Sequence, residues 1–155
     1  GVAALRLAPY WWLGTWLVVA VLASTAGAAG LVIKSRRSGE SLVEGAGRRC
    51  LESFLPAAIA GALITLACVL QGFETVLPGV WMMLYGLAVV SGGAHSVKPV
   101  PIMGGLFMAA GAAALFVPVA LERVSAAPAN DLLLAAAFGG LHIGFGVVIA
   151  RRYGG

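Results

Sequence analysis

The sequence predicts an all-α integral membrane bundle of five transmembrane helices, N-terminus out and C-terminus in. Three observations carry this reading. Of 155 residues, 61% are hydrophobic and only 10% are charged, against about 25% charged in soluble domains. The mean hydropathy is +0.99. The apolar residues fall into five unbroken runs, each near the ~20 residues that cross a ~30 Å hydrocarbon core. Too few polar side chains remain to cover a soluble fold, which excludes a soluble globular domain, a disordered chain and a disulfide scaffold. Long runs rather than short alternating ones predict helices and not a barrel.

The five helices are expected over about 10–33, 53–71, 77–96, 100–121 and 130–150, as one transmembrane domain over 1–155. The first is the longest and can tilt. It is too long for a signal peptide and lacks a cleavage pattern, so a membrane span is expected there. Pro9, Pro56, Pro78, Pro99, Pro101 and Pro128 fall at or near the predicted helix starts, where a missing N–H would be unpaired anyway. Asn130 before Asp131 is the expected N-cap of the fifth helix. Pro118 lies late in the fourth helix and predicts a kink.

Charge sets the orientation. Lys34, Arg36, Arg37, Arg48 and Arg49 lie between helices one and two, Lys98 between three and four, and Arg151 and Arg152 at the end. These segments share one side, and the other side holds Arg6 and Arg123. An excess of Lys and Arg marks the cytoplasmic side. Trp11, Trp12, Trp16 and Trp81, with Tyr10 and Tyr85, lie toward the outer interface. They read as an aromatic belt, or alternatively as a ligand-binding cluster. The basic loop over 34–52 is a solvated topology determinant or a contact for anionic lipid heads. No Lys/Arg stripe is present to contact phosphates, so no nucleic acid is expected.

Glycine makes up 22 of the 155 residues, about twice its usual share. Gly140 and Gly144 form GxxxG, and helix four carries Gly104 and Gly111. Small residues let helix backbones approach closely. These four are the expected packing positions, either within one bundle or in a homo-oligomer or larger membrane complex.

His142 lies ~18 Å into helix five, and an ionisable residue at that depth is a functional candidate. A ligand site is expected between helices three and five, with His142, Ser91, Trp81 and Tyr85 as its residues. The alternative is a neutral imidazole bonded to a neighbouring helix through Thr65 or Ser91. His142 and His95 are the metal or haem candidates, although His95 falls ~7 Å nearer the cytoplasm and bis-His haem needs equal depth. Zinc needs three or four ligands, for which Cys50 and Glu52 lie nearest to His95. Cys50 and Cys68 fall ~27 Å apart along one helix, too far for a disulfide, so free thiols are expected. Glu74, Glu122, Arg123 and Asp131 read as solvated charges of the outer loops.

No catalytic motif of the GxSxG, HExxH, Walker or Rossmann kinds occurs. The expected function is non-enzymatic, with no cofactor: an accessory, regulatory or assembly subunit acting through helix packing. Two alternatives stand beside it, a small-molecule carrier with a site near His142 and a haem or metal redox protein.

The segments Leu77–Gly86, Lys98–Gly104 and Phe138–Gly146 resemble small, uncharacterised bacterial five-helix inner-membrane proteins. The resemblance covers roughly the C-terminal half. It implies the bacterial inner membrane as location and nothing about activity. Pro78, Trp81, Leu84 and Tyr85 are also similar to an element of the tryptophan-rich translocator family. Here that element opens helix three instead of helix two, and Lys98-Pro99 follows it, which sets the chain apart from that family.

Overall fold

The computed structural model describes residues 2–38, 45–94, 96–120 and 126–153. Among the described residues all regular structure is helical. The helices are α1 (Val2–Ser38), α2 (Gly45–Gln71), α3 (Leu77–Gly93), α4 (Pro99–Ala120), α5 (Ala126–Ala135) and α6 (His142–Tyr153). A π-helical turn, Ala136–Leu141, joins α5 to α6 without a break, and a 3₁₀ turn, Glu74–Val76, leads into α3. Five stretches are long and apolar enough to cross a membrane: Tyr10–Gly30, Leu51–Gln71, Glu74–Gly93, Pro99–Phe116 and Asn130–Tyr153.

Several helix ends differ from expectation, for identifiable reasons. Helix α1 runs past both ends of 10–33, and α2 begins at Gly45 instead of 53. An apolar run marks a hydrocarbon crossing, whereas Lys and Arg are good helix formers that let a helix continue into water. Of the basic loop expected over 34–52, residues 34–38 and 45–52 are helical, and 39–44 lie outside the described residues. Pro56 lies inside α2 rather than at its start. Asn130 is no N-cap, because α5 begins at Ala126 and Asn130 is a buried residue within it. Pro128 then occupies the first turn, where backbone N–H groups lack helical partners. Helix α3 stops at Gly93, short of 96, after two poor helix formers, Gly92 and Gly93. Helix α4 continues through Pro118, whose side chain, and with it the expected kink, lies outside the described residues.

The chain divides into two compact units, Gly1–Arg48 and Arg49–Gly155. The first is essentially α1. Its Thr15 and Thr25 hydroxyls donate to the carbonyls of Trp11 and Val21 four residues back, at 2.9 and 2.6 Å. This satisfies each hydroxyl within its own helix, as an apolar setting requires.

In the second unit α2 ends in a Schellman turn. Gly72 has φ of 74°, which glycine adopts without steric cost. The Phe73 N–H reaches back to the Cys68 carbonyl at 2.8 Å, satisfying one of the last carbonyls of the helix. The chain then reverses into α3.

Helices α3 and α4 form the tightest contact of the unit. Gly79 and Gly86 stand seven residues apart on α3, and Gly104 and Gly111 seven apart on α4. The antiparallel register sets Gly79 against Gly111 and Gly86 against Gly104. A Cβ added at Gly86 would lie 2.6 Å from the Gly104 carbonyl oxygen, and one at Gly79 2.9 Å from that of Gly111. Only glycine permits this approach. Leu77, Met82, Phe107 and Leu134 fill the core beside it and are almost fully buried.

Candidate functional site

Helix α3 and the fifth span bring Tyr85 and His142 together, with 2.6 Å between Tyr85 Oη and His142 Nε2. The other ring nitrogen, Nδ1, is 2.8 Å from the Phe138 carbonyl oxygen. A carbonyl only accepts, so Nδ1 carries a hydrogen and donates it. A neutral imidazole has one N–H, so Nε2 accepts from the Tyr85 hydroxyl. The backbone at His142 supports this arrangement. Its N–H donates to Gly139 O, so the Phe138 carbonyl meets the imidazole above it. The π turn that produces this geometry contains Gly139 and Gly140, whose backbones are the least restricted. Such turns are frequent at functional sites.

Aromatic rings enclose the pair. Phe107 lies 4.7 Å from the Tyr85 ring and 5.4 Å from the imidazole, both edge-on. Phe138 is 5.0 Å from Tyr85 and stacks on His142 at 6.2 Å with an interplanar angle of 11°. Phe54 of α2 closes the group edge-on at 5.5 Å from Tyr85. Offset and edge-on rings contribute beyond simple burial. Four helical segments therefore meet at one polar bond wrapped in apolar rings.

The other predicted site residues lie elsewhere. His142 pairs with neither Thr65 nor Ser91. The Trp81 indole N–H donates to Thr65 Oγ1 at 2.9 Å, and the Thr65 hydroxyl donates to the Gly61 carbonyl at 2.7 Å. Ser91 is exposed on α3 and lines a groove of about 360 Å³ between α2 and α3, with Glu52 and Ser53. The four expected ligand residues thus fall into three separate places: the Tyr85–His142 pair, the Trp81–Thr65 bond and the Ser91 groove.

Nδ1 carries the hydrogen and the Nε2 lone pair accepts from the Tyr85 hydroxyl, so His142 faces no open coordination position in this arrangement. Among the described residues no group of three or more His, Cys, Asp or Glu could hold a metal ion. His95 and the Cys50 side chain lie outside the described residues. Cys68 is a half-buried free thiol.

The packing glycines also divide. Gly104 and Gly111 are buried against α3, facing Gly86 and Gly79. At Gly140 and Gly144 an added Cβ would meet nothing within 4 Å, and the same holds at Gly139 and Gly146. Ile143 and Val147 beside them are 71% and 44% exposed.

Sequence reasoning did not single out Phe54, Phe107 and Phe138. Phe138 had a usable signal, because it lies one helical turn before His142. Phe54 and Phe107 depend on contacts between helices that no local pattern encodes.

The chain matches no family model, and it matches no curated protein and no solved structure.

Proposed function

We propose that this chain is a non-enzymatic, multi-pass protein of the bacterial inner membrane, N-terminus out and C-terminus in. It acts as an accessory, regulatory or assembly subunit by packing the glycine face of the fifth span, from the π turn into α6, against a helix of another chain. One observation supports this above the others. Gly79 and Gly86 of α3 are packed against Gly111 and Gly104 of α4, whereas a Cβ added at Gly140 or Gly144 meets no described residue within 4 Å. In a bilayer, lipid is as apolar as leucine, so helices associate through close backbone approach rather than burial from water. A glycine face that meets no other described helix of its own compact unit suits that contact. The distribution of Lys and Arg supports the orientation, and the resemblance of the C-terminal half supports the location.

The carrier and redox readings both require an open His142. Its two nitrogens are hydrogen-bonded, so in this proposal the Tyr85–His142 pair fastens α3 to the fifth span and no cofactor enters.

The test is thiol cross-linking in native membranes. Ile143→Cys, in a chain with Cys50 and Cys68 replaced by Ser and Ala, should give a covalent adduct heavier than one chain. The adduct should vanish when Gly140 and Gly144 are both Leu. Absence of any adduct from Ile143→Cys and from Val147→Cys would overturn the proposal.

A further inference from the structure

We propose that Lys98 and Arg152, brought together where α4 begins and α6 ends, bind the phosphate of an anionic phospholipid. This rests on the spans crossing a bilayer, as in the reading above.

The register of two helices sets the cations at one level. Helix α4 touches α5, the π turn and α6, so it lies along the fifth span. Five residues, 121–125, join the two. They reach at most about 18 Å, too little to run back along the 22 residues of α4, so the fifth span starts where α4 stops and runs antiparallel to it. The Phe107 and His142 rings meet at 5.4 Å. Lys98 lies nine residues before Phe107, and Arg151 and Arg152 lie nine and ten residues after His142. All three cations therefore stand about 14–15 Å beyond that ring contact, at the same end.

The two arginines occupy different sides of α6. His142, Phe145 and Ile149 are half-buried, and the other described residues of α6 are exposed. Spacings of three and four put that row on the side that meets α4. Arg152 is the next member of the row. Arg151 instead follows Gly144 and Val148 along the exposed side. Lys98 immediately precedes α4. Packed helices lie about 8–10 Å apart, and the long stems of Lys and Arg let two heads lean toward one phosphate.

No described acid stands at this level. Glu52 is two residues from Phe54, whose ring meets Tyr85, so it lies only about 3 Å along α2 from the ring cluster, and it is engaged within the chain. Glu74 and Asp131 lie where α3 and the fifth span begin, at the opposite end. Among the described residues Lys98, Arg151 and Arg152 have no ion-pair partner. The start of α4 adds few donors of its own. Pro99 and Pro101 have no N–H, and the Val100 N–H donates to the Val97 carbonyl at 3.0 Å. An anion here is held by side chains.

The surroundings favour a lipid over a free anion. Ile102 and Val148 lie one turn from Lys98 and Arg152 toward the middle of the spans, and are 57% and 39% exposed. A phosphate that carries acyl chains meets cations and apolar surface together. A zwitterionic head brings its own cation to a positive end, whereas a glycerol head leaves the phosphate charge uncompensated.

The experiment places the full chain in nanodiscs of equal parts phosphatidylglycerol and phosphatidylcholine, then weighs the lipids retained on release into the gas phase. The glycerol lipid should be retained about thirtyfold over the choline lipid, about fivefold from each of the two cations. Lys98→Gln and Arg152→Gln should each lower the ratio about fivefold with helical content unchanged, and Arg152→Lys, which keeps the charge, should preserve it. Arg151→Gln removes the same charge at the same level and should leave most of the preference. Equal retention of the two lipids, loss of preference in Arg152→Lys, or a fall in Arg151→Gln as large as in Arg152→Gln would each overturn the site, the last by showing general charge attraction only. Failure of the unaltered chain to enter nanodiscs would overturn the membrane reading and the lipid site together, which distinguishes that failure from the others.

Discussion

Tyr85 and His142 show what a single hydrogen bond does where water is scarce. With a ring wall on several sides, a lost partner is not replaced by solvent, yet cross-helix bonds in membranes are worth only about 1 kcal/mol on average. Tyr85→Phe removes the hydroxyl and keeps the ring that Phe54, Phe107 and Phe138 pack against. It should therefore lower unfolding stability by about 1 kcal/mol, read by thermal unfolding in mild detergent, without changing helical content. No loss of stability would mean that the pair fastens nothing. His142 was legible in the sequence because an imidazole deep in an apolar run stands out. Its partner was not, because Tyr85 lies only one turn from Trp81 and reads as a member of the same interfacial belt. Counting depth from Leu77 puts Tyr85 about 12 Å into α3, too deep for a belt, but the helix start had to be fixed first.

At the scale of elements, the apolar runs located all five helices long and apolar enough to cross a membrane but misjudged where helices end. Hydropathy responds to lipid, while helix ends respond to capping and backbone propensity, so α1 and α2 extend well beyond their apolar windows. The π turn was not readable either. Gly139-Gly140 signals backbone freedom, and only the contact with α3 shows that the turn leaves His142 facing Tyr85. The α3–α4 pair allows a sharp contrast between neighbouring glycines. Gly86→Ala sets a Cβ 2.6 Å from the Gly104 carbonyl oxygen, a backbone atom that cannot swing aside. It should destabilise the protein by about 1–3 kcal/mol, as overpacking does. Gly105→Ala meets nothing within 4 Å and should stabilise by up to about 1 kcal/mol, the gain in helix propensity. Thermal unfolding of both variants checks the pair, and equal shifts in the same direction would refute the close glycine contact.

For the whole molecule, small residues occupy two environments that spacing alone does not separate. Gly104 and Gly140 belong to similar small-residue patterns, and only the fold shows that one is buried against a neighbouring helix while a Cβ at the other would meet no described residue within 4 Å. That difference carries the proposed function, and it was illegible because a glycine face does not record which helix it meets. The most direct test of it is native mass spectrometry of the chain released from its own membrane in mild detergent. The account predicts a mass above that of one chain plus lipid, and a return to one chain when Gly140 and Gly144 are both replaced by Leu, with helical content intact. A wild-type mass equal to a single chain would contradict it, as would an assembly that the double variant leaves unchanged.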